Sequence, residues 1–499
     1  MKSPPIMSQI VHPPVSRRKI SVQQVANQQT DWRTIYTLTL VGFLSSLHMG
    51  SMNFWAYMTQ LDSTITPVFY GYLLSIGSCG HVITTVISGY VSNRISHSTP
   101  SLVAGKVSSI FGSLCFLSIE LFKQNLRVVL LFMTLLFGLS MGLMSVMRAQ
   151  ISSSTSEADR PRAVSFLSLA MTCGIAVGPL ISSILTLVKY PGYEYFPGLH
   201  LNLYTIPIYL MLMFGIFTLI LLLGPNFRGV LKEAPVEVKS KFKELASTTE
   251  RPHYDSLAVG ICCFTRITIG LSMVYFQTIN GPYLMAAFHW KNEEYVRFSS
   301  LLRVMNGLTG IALSLSFIFG CMQKWISPRQ GIVAAVSSKL LFYVITYPWP
   351  FLQSTMTYEV TGLNALNETI ILQPGCKEAM TWCETTPAIN VYIYCVAEIV
   401  CLGFSLPMMA LNLEILYATV LGGIKQGTMQ GIFVVSGDLL HILGPVVLAT
   451  LYETSGPTAV WIVMIASNGL VLVIWIIFYK RMIPYSKMLE GKLSQVVEE

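Results

Sequence analysis

The sequence predicts an all-α membrane protein: twelve transmembrane helices in two six-helix lobes. Three observations lead there. Of 499 residues, 53% are hydrophobic and only 11% are charged, against about 25% charged in soluble domains. The apolar residues gather into twelve runs, each long enough at 1.5 Å per residue to cross a hydrocarbon core of roughly 30 Å. A charged connector splits those runs six and six.

In chain order the runs fall at 34–56, 69–91, 101–122, 128–147, 163–188, 203–224, 256–279, 298–321, 331–352, 389–413, 427–452 and 459–479. The expected organisation is a disordered N-tail over 1–32 and an N-terminal lobe over 33–224. A cytoplasmic linker over 225–254 joins this to a C-terminal lobe over 255–482, and a C-tail follows over 483–499. The linker mixes Lys239, Lys241 and Lys243 with Glu244 and Glu250, as a solvated surface segment does. The stretch to Thr30 is polar and has no apolar core, so no secretory leader is expected.

Twelve spans put both termini on one side, and the basic residues name it. Of 32 Lys and Arg residues, four lie inside the runs and six fall on the far side: Lys123, Arg127, Lys189, Lys291, Arg297 and Lys377. The remaining 22 share the side of the termini, which the positive-inside bias makes cytoplasmic. The net charge of +8 therefore marks orientation and implies no nucleic-acid partner.

The polar loop 353–388 is expected on the lumenal side. It holds the sequon Asn367-Glu368-Thr369 and the pair Cys376 and Cys383. Glycosylation and a disulfide both suit an oxidising lumen; two free thiols and an unused sequon are the plainer alternative. The other eight cysteines lie in apolar runs and act as small hydrophobes. No spacing suggests a metal site or a cofactor. No nucleophile elbow or phosphate-binding loop points to an enzyme.

The halves echo each other. Gly89-Tyr-Val-Ser-Asn93-Arg94 closes the second run and Gly320-Cys-Met-Gln-Lys324 the eighth, while Gly178-Pro179 and Gly444-Pro445 mark the fifth and eleventh. These landmarks resemble the major facilitator superfamily, with Asn93 where its loop motif has Asp. The stretch from Gly174 to Ser183 resembles the superfamily's fifth-helix signature. Ala170, Gly174, Gly178 and Ser182 form a small-residue stripe for close helix contact, and Pro179 bends the rod.

A narrower resemblance runs from Asp31 to the last helix. Phe54-Trp55-Ala-Tyr57, Asn202-Leu-Tyr204-Thr205, Phe276-Gln277-Thr278 and Trp382-Cys383 appear in order. The set is similar to the lysosomal branch of the superfamily affected in one neuronal ceroid lipofuscinosis. Against that branch, Thr134 stands for an Arg, Gln277 for a Glu and His441 for a basic residue. The branch's N-terminal dileucine signal is missing, and Tyr485-Ser-Lys-Met488 offers a sorting pattern instead.

Ionisable residues inside the runs are the candidates for function, because charge in a bilayer is costly unless it faces a partner or a watery path. They are His48, His81, Lys106, Arg266, Arg303, Lys339, Glu398, Asp438 and His441. Asp438 and His441 sit at i,i+3 on one helical face, either paired locally or turned to a solvated passage. Lys106 is expected to snorkel to the cytoplasmic edge, and His48 and His81 to be hydrogen-bonded in the core. Arg148, Asp159, Arg160 and Arg162 are expected to lock helix ends.

The expected pathway residues are Arg266, Arg303, Glu398, Asp438 and His441, either holding an anion beside a titratable group or fixing helices by ion pairs. With the resemblance, this implies a monomeric endolysosomal transporter of a small solute or anion, working by alternating access with pH dependence. A chloride-conducting channel and a non-transporting sensor or scaffold are the alternatives.

Overall fold

The computed structural model describes residues 30–51, 54–62, 64–121, 125–155, 159–196, 199–230, 255–318, 325–363, 369–421 and 426–483. The first half contains α1 (Trp32–Ser51), α2 (Phe54–Leu61), α3 (Pro67–Ile95), α4 (Thr99–Leu117), α5 (Leu126–Met141), α6 (Met144–Ser154), α7 (Arg160–Leu185) and α8 (Thr205–Leu223). The second contains α9 (Ser256–Thr278), α10 (Asn280–Phe288), α11 (Asn292–Ile318), α12 (Pro328–Ile345), α13 (Val391–Ala397), α14 (Gly403–Leu421), α15 (Gln426–Asp438) and α16 (Leu440–Phe478). Two small hairpins decorate one end, β1 (Tyr193–Phe196) with β2 (Leu199–Leu201) and β3 (Val360–Leu363) with β4 (Thr369–Gln373).

Nine helical stretches among the described residues are long and apolar enough to cross a membrane. One of them, Ile432–Phe478, runs 47 residues, about twice what a bilayer needs. It breaks at Gly456, whose φ of +74° lies in the left-handed region that side chains avoid. The Trp382 ring fills the inside of that corner, so a Cβ at Gly456 would meet it at 2.7 Å. The two apolar runs expected at 427–452 and 459–479 are the two arms of this corner.

Helix starts follow from local chemistry. Thr66 caps α3 by accepting from the Phe69 amide at 3.2 Å, with Pro67 preset for the first turn. Ser327 and Gln330 make a reciprocal capping box before Pro328 on α12. That helix begins three residues before the apolar run because the box, not hydrophobicity, sets its start. Likewise α11 begins at Asn292, six residues before its run, with Glu293 and Glu294 in its first turn.

Packing is the same in both halves. In the first, α1 lies on α7, α3 on α5 and α4 on α8; in the second, α9 lies on α15 and α16, α11 on α14, and α12 on α16. The halves meet chiefly through α3 with α16 and α7 with α11, with smaller contacts of α3 with α9 and of α2 with α10 and α11. Trp461 Nε1 and Trp475 Nε1 each donate at 2.9 Å, to Thr346 Oγ1 and Thr265 Oγ1, and so tie the last arm to α12 and α9.

The core has a direction. At the end carrying the loop 353–388, one cluster draws on both halves, including Tyr57, Tyr204, Tyr283, Tyr394, Trp382 and Trp461. At the end carrying the termini it divides. One cluster there, with Ile35, Leu102, Ile151 and Phe227, belongs wholly to the first half. The other, with Val259, Tyr417, Phe433 and Trp475, belongs wholly to the second.

Hydrogen bonds follow the same polarity. Asn292 Nδ2 donates to Gln60 Oε1 at 2.7 Å, Lys377 Nζ to the Ile65 carbonyl at 2.5 Å, and the Val68 amide to Glu453 Oε1 at 3.0 Å. All three cross between the halves, and all three lie at the loop end.

At the opposite end Asp255 caps α9 and accepts from Arg481 Nε just beyond α16. Burial pushes the Asp255 carboxyl up, but the Arg481 bond and the Ala258 and Leu257 amides outweigh it and hold it below its ordinary value. A depressed carboxylate stabilises above its unfolded pKa, about 3.9, and loses that contribution as pH falls through the folded value. Thermal melting from pH 7 to pH 3 should therefore show Arg481→Gln less stable than wild type at neutral pH. The two curves should converge in acid.

Candidate functional site

Arg266 and Gly437 define the closest approach of α9 to α15. A Cβ at Gly270 would sit 2.6 Å from the Gly437 carbonyl oxygen, and a Cβ at Gly437 would sit 3.0 Å from Arg266 Nε. The two glycines let the backbones meet, and Arg266 lies across Gly437 with its guanidinium 5.6 Å from the Phe433 ring centroid. Arg266 Nε is a buried donor without an acceptor, which costs about 1–3 kcal/mol. The His441 ring bonds the Gly437 backbone.

Asp438 ends α15 and His441 enters α16, with a tightened turn at Leu439 between them. The charges acting on His441 come from Asp438, His81 and Arg266. His81 sits on α3, in the other half. The structure thus brings together Arg266, Asp438 and His441, as the sequence grouped them, and adds His81 from across the seam.

Glu398 and Arg303 form a second place. Glu398 opens a π-helical turn, Glu398–Leu402, between α13 and α14, a distortion frequent at functional sites. It is 2% exposed. Asn306 Nδ2 donates to Glu398 Oε1 at 3.4 Å, while Glu398 Oε2 and Asn306 Oδ1 are both buried without partners. Arg303 bonds to Ser299 through its carbonyl (3.3 Å) and hydroxyl (3.4 Å), and its charge reaches Glu398, Tyr295 and Tyr70 of the other half. The five expected pathway residues therefore divide into two sites rather than one cluster.

The motif residues are packing elements. Gly174 on α7 lies against Phe43 and Ser46 of α1, and Gly444 against Val274 of α9. Gly178, Pro179 and Pro445 are buried inside their helices. Gly89 faces open space. Arg94 is exposed and reaches only Tyr90, and Arg148 is exposed. Asp159 accepts from Thr30 Oγ1 at 2.6 Å. The side chains of His48, Asn93, Arg160 and Arg162 lie outside the described residues, as do Asn367, Tyr485 and Met488 entirely.

Thr134 returns its hydroxyl to the Leu130 and Leu131 carbonyls of its own helix, and Gln277 is exposed. The sulfurs of Cys376 and Cys383 are bonded, with Cα atoms 6.2 Å apart. That ring presents Lys377 to Ile65, and Trp382 Nε1 to the Glu453 carbonyl at 3.0 Å.

Three features escaped the sequence. Lys106 does not snorkel outward; its Nζ bonds Ser45 Oγ inside the first half. Lys339 is fully buried, with Nζ 3.4 Å from the Thr268 carbonyl. At the loop end Glu120 accepts from Tyr57 Oη at 3.0 Å and sits 2.6 Å from His200 Nδ1. Glu120 and His200 lie in short connections 80 residues apart, so no periodicity could pair them.

Helices paired alike in the two halves of an apolar chain are the arrangement of a membrane-transporter fold. The profile of the Major Facilitator Superfamily matches residues 38–366, and the chain belongs to that superfamily. It is a diverged relative of major facilitator superfamily domain-containing protein 8 of Xenopus laevis. The two are 22% identical over 480 residues, covering 92% of this chain and 93% of the relative.

Solved structures share the fold. A D-xylose-proton symporter superposes with a TM-score of 0.61 at 12% identity, covering 92% of this chain and 99% of its own. A peptide transporter, POT, bound to sulfate gives 0.59 at 12%, covering 92% and 98%. The nucleoside transporter NupG gives 0.52 at 12%, covering 90% and 99%.

Glu120 is held by two partners at once, one on each carboxylate oxygen, and an amide in its place keeps one acceptor and turns a donor toward the other partner. Glu120→Gln is expected to destabilise the purified protein by about 1–3 kcal/mol. Denaturation of the variant beside Tyr57→Phe and the double variant checks it, since the Tyr57 effect should shrink once Glu120 is gone.

Proposed function

We propose that this chain is a twelve-span transporter of two six-helix lobes that moves a small anionic solute by alternating access across an endolysosomal membrane, with both termini cytoplasmic. The spans are α1 with α2, α3, α4, α5 with α6, α7, α8, α9 with α10, α11, α12, α13 through α14, α15 to Gly456, and the remainder of α16. Helix n of the first lobe then packs as helix n+6 of the second, which supports a repeat-built carrier. The undivided core at the loop end supports a state closed there and parted toward the termini.

One observation carries the anionic preference: the unpartnered donor Arg266 Nε, buried against Gly437, with the His441 ring within reach of its charge. An anion supplies the acceptor that Arg266 Nε lacks. Asp438 opposes it unless protonated, so anion entry and proton uptake favour each other at this place. Glu398 and Asn306, two facing groups with unused acceptor atoms, suit a shared proton in the second lobe. The names of the solved relatives, a proton symporter among them, fit such coupling. Lumenal glycosylation at Asn367 and tail-directed sorting through Tyr485 and Met488 belong to the same reading.

Counterflow in proteoliposomes tests it, with chloride and small carboxylates as solutes at two lumenal pH values. Arg266→Gln is expected to reduce anion uptake about tenfold or more. Asp438→Asn should flatten the pH profile while preserving uptake in acid. Unchanged uptake in Arg266→Gln would remove the anion from this site.

A further inference from the structure

Away from the seam, inside the first half, α1, α4, α5, α6 and α8 line a partly open cavity with about 50 Å³ of room for the centres of water-sized groups. One water needs about 10–15 Å³ on that measure, so a few fit. Lys106 lines it, with Ser109 one turn along α4, and the wall is otherwise mostly apolar, with Leu44, Leu102 and Leu143 beside Met144, Met147 and Phe214. The ammonium of Lys106 donates to Ser45 Oγ, which keeps it in the bundle rather than at the membrane edge. Two of its three N–H groups remain for other acceptors.

Among the described residues no carboxylate pairs with Lys106. The hydroxyls do not offset it either. Ser45, Ser140 and Thr218 return their protons to the carbonyls of Val41, Phe137 and Gly215 on their own helices. The ammonium alone therefore sets the sign of the potential, and a charge held this way stays costly without a counter-ion.

Lys339 makes the contrast. It reaches from α12 to α9 as Lys106 reaches from α4 to α1, third helix to first in each half. Yet Lys339 is 0% exposed and ends on a carbonyl, whereas Lys106 ends beside empty volume.

We infer that the Lys106 cavity binds one small, weakly hydrated monovalent inorganic anion, at a site separate from the seam. The positive charge selects the sign, and the small volume favours a compact anion over a bulky one. The apolar, methionine-containing wall favours ions that shed water readily. Because all the enclosing helices belong to one half, the ion stabilises that half as a body and does not travel with the solute.

The test is thermal unfolding of the purified full-length protein in detergent, with bromide or nitrate replacing gluconate at constant ionic strength. Wild type should gain stability along a saturating curve that follows site occupancy. Arg266→Gln, which removes the seam's share, should keep a saturating response even where its transport fails. In that background Lys106→Met should abolish the gain, and Ser45→Ala should raise the half-saturating concentration several-fold. Equal behaviour of bromide, nitrate and gluconate in wild type would overturn the site, whether or not any variant folds. So would a response that survives Lys106→Met in that background, or one lost in Arg266→Gln alone, which would place the whole response at the seam.

Discussion

Everything else in this molecule is arranged around one asymmetry: among the described residues, its two halves share a core at one end only. Tyr57, Tyr204 and Phe116 from the first half and Tyr283, Tyr394 and Trp461 from the second form one apolar mass beneath the loop 353–388. Aromatic side chains bury large areas and hold defined edge-to-face geometries, as Tyr275 does against Trp461 with ring centroids 5.4 Å apart. Such contacts are worth most where water is excluded. The polar bonds over them, from Asn292, Lys377 and Glu453, fix register rather than supply the bulk of the adhesion.

The disulfide loop takes its meaning from that seam. Lys377 lies inside the ring closed by Cys376 and Cys383, and Trp382 fills the corner at Gly456. One short loop therefore grips the first half through Ile65 and the turn between the last two spans through Glu453. Burial pushes the Lys377 ammonium down, while the carboxylates of Glu359, Asp62 and Glu453 pull the other way. For the loop end to open, these contacts must break together with the aromatic core.

Much of the fold was legible in the sequence, because length and hydropathy decide which segments cross a bilayer. The run of long apolar helices, the Gly-Pro landmarks and the small-residue stripe at Gly174 all rest on local composition. Helix boundaries were less legible wherever a polar cap extends a helix past its apolar run, as at Ser327 and Asn292. The site was legible only as an inventory. Arg266, Glu398, Asp438 and His441 announce themselves as charges in apolar runs, but the π-helical turn at Glu398 and the Gly270–Gly437 contact depend on tertiary packing. That packing divides the candidates into two places and brings His81 across to His441. Lys106 misled for the same reason, since its distance from the helix end says nothing of Ser45 across the bundle.

The unpartnered atoms sort by kind, and this is what gives the two places different chemistry. Beside Gly437 the unpartnered donor is Arg266 Nε; beside the π-helical turn both unpartnered atoms are acceptors, Glu398 Oε2 and Asn306 Oδ1. A buried donor calls for something negative, and an acceptor pair for a proton or a cation. Arg303 beside Glu398 disfavours a second fixed cation there, which leaves the proton as the better fit. Each place also lies within electrostatic reach of the opposite half, through His81 in one and Tyr70 in the other. On the alternating-access reading, parting the halves at the loop end would change the surroundings of both places at once. That gives a carrier a direct physical route to link an anion in one with a proton in the other.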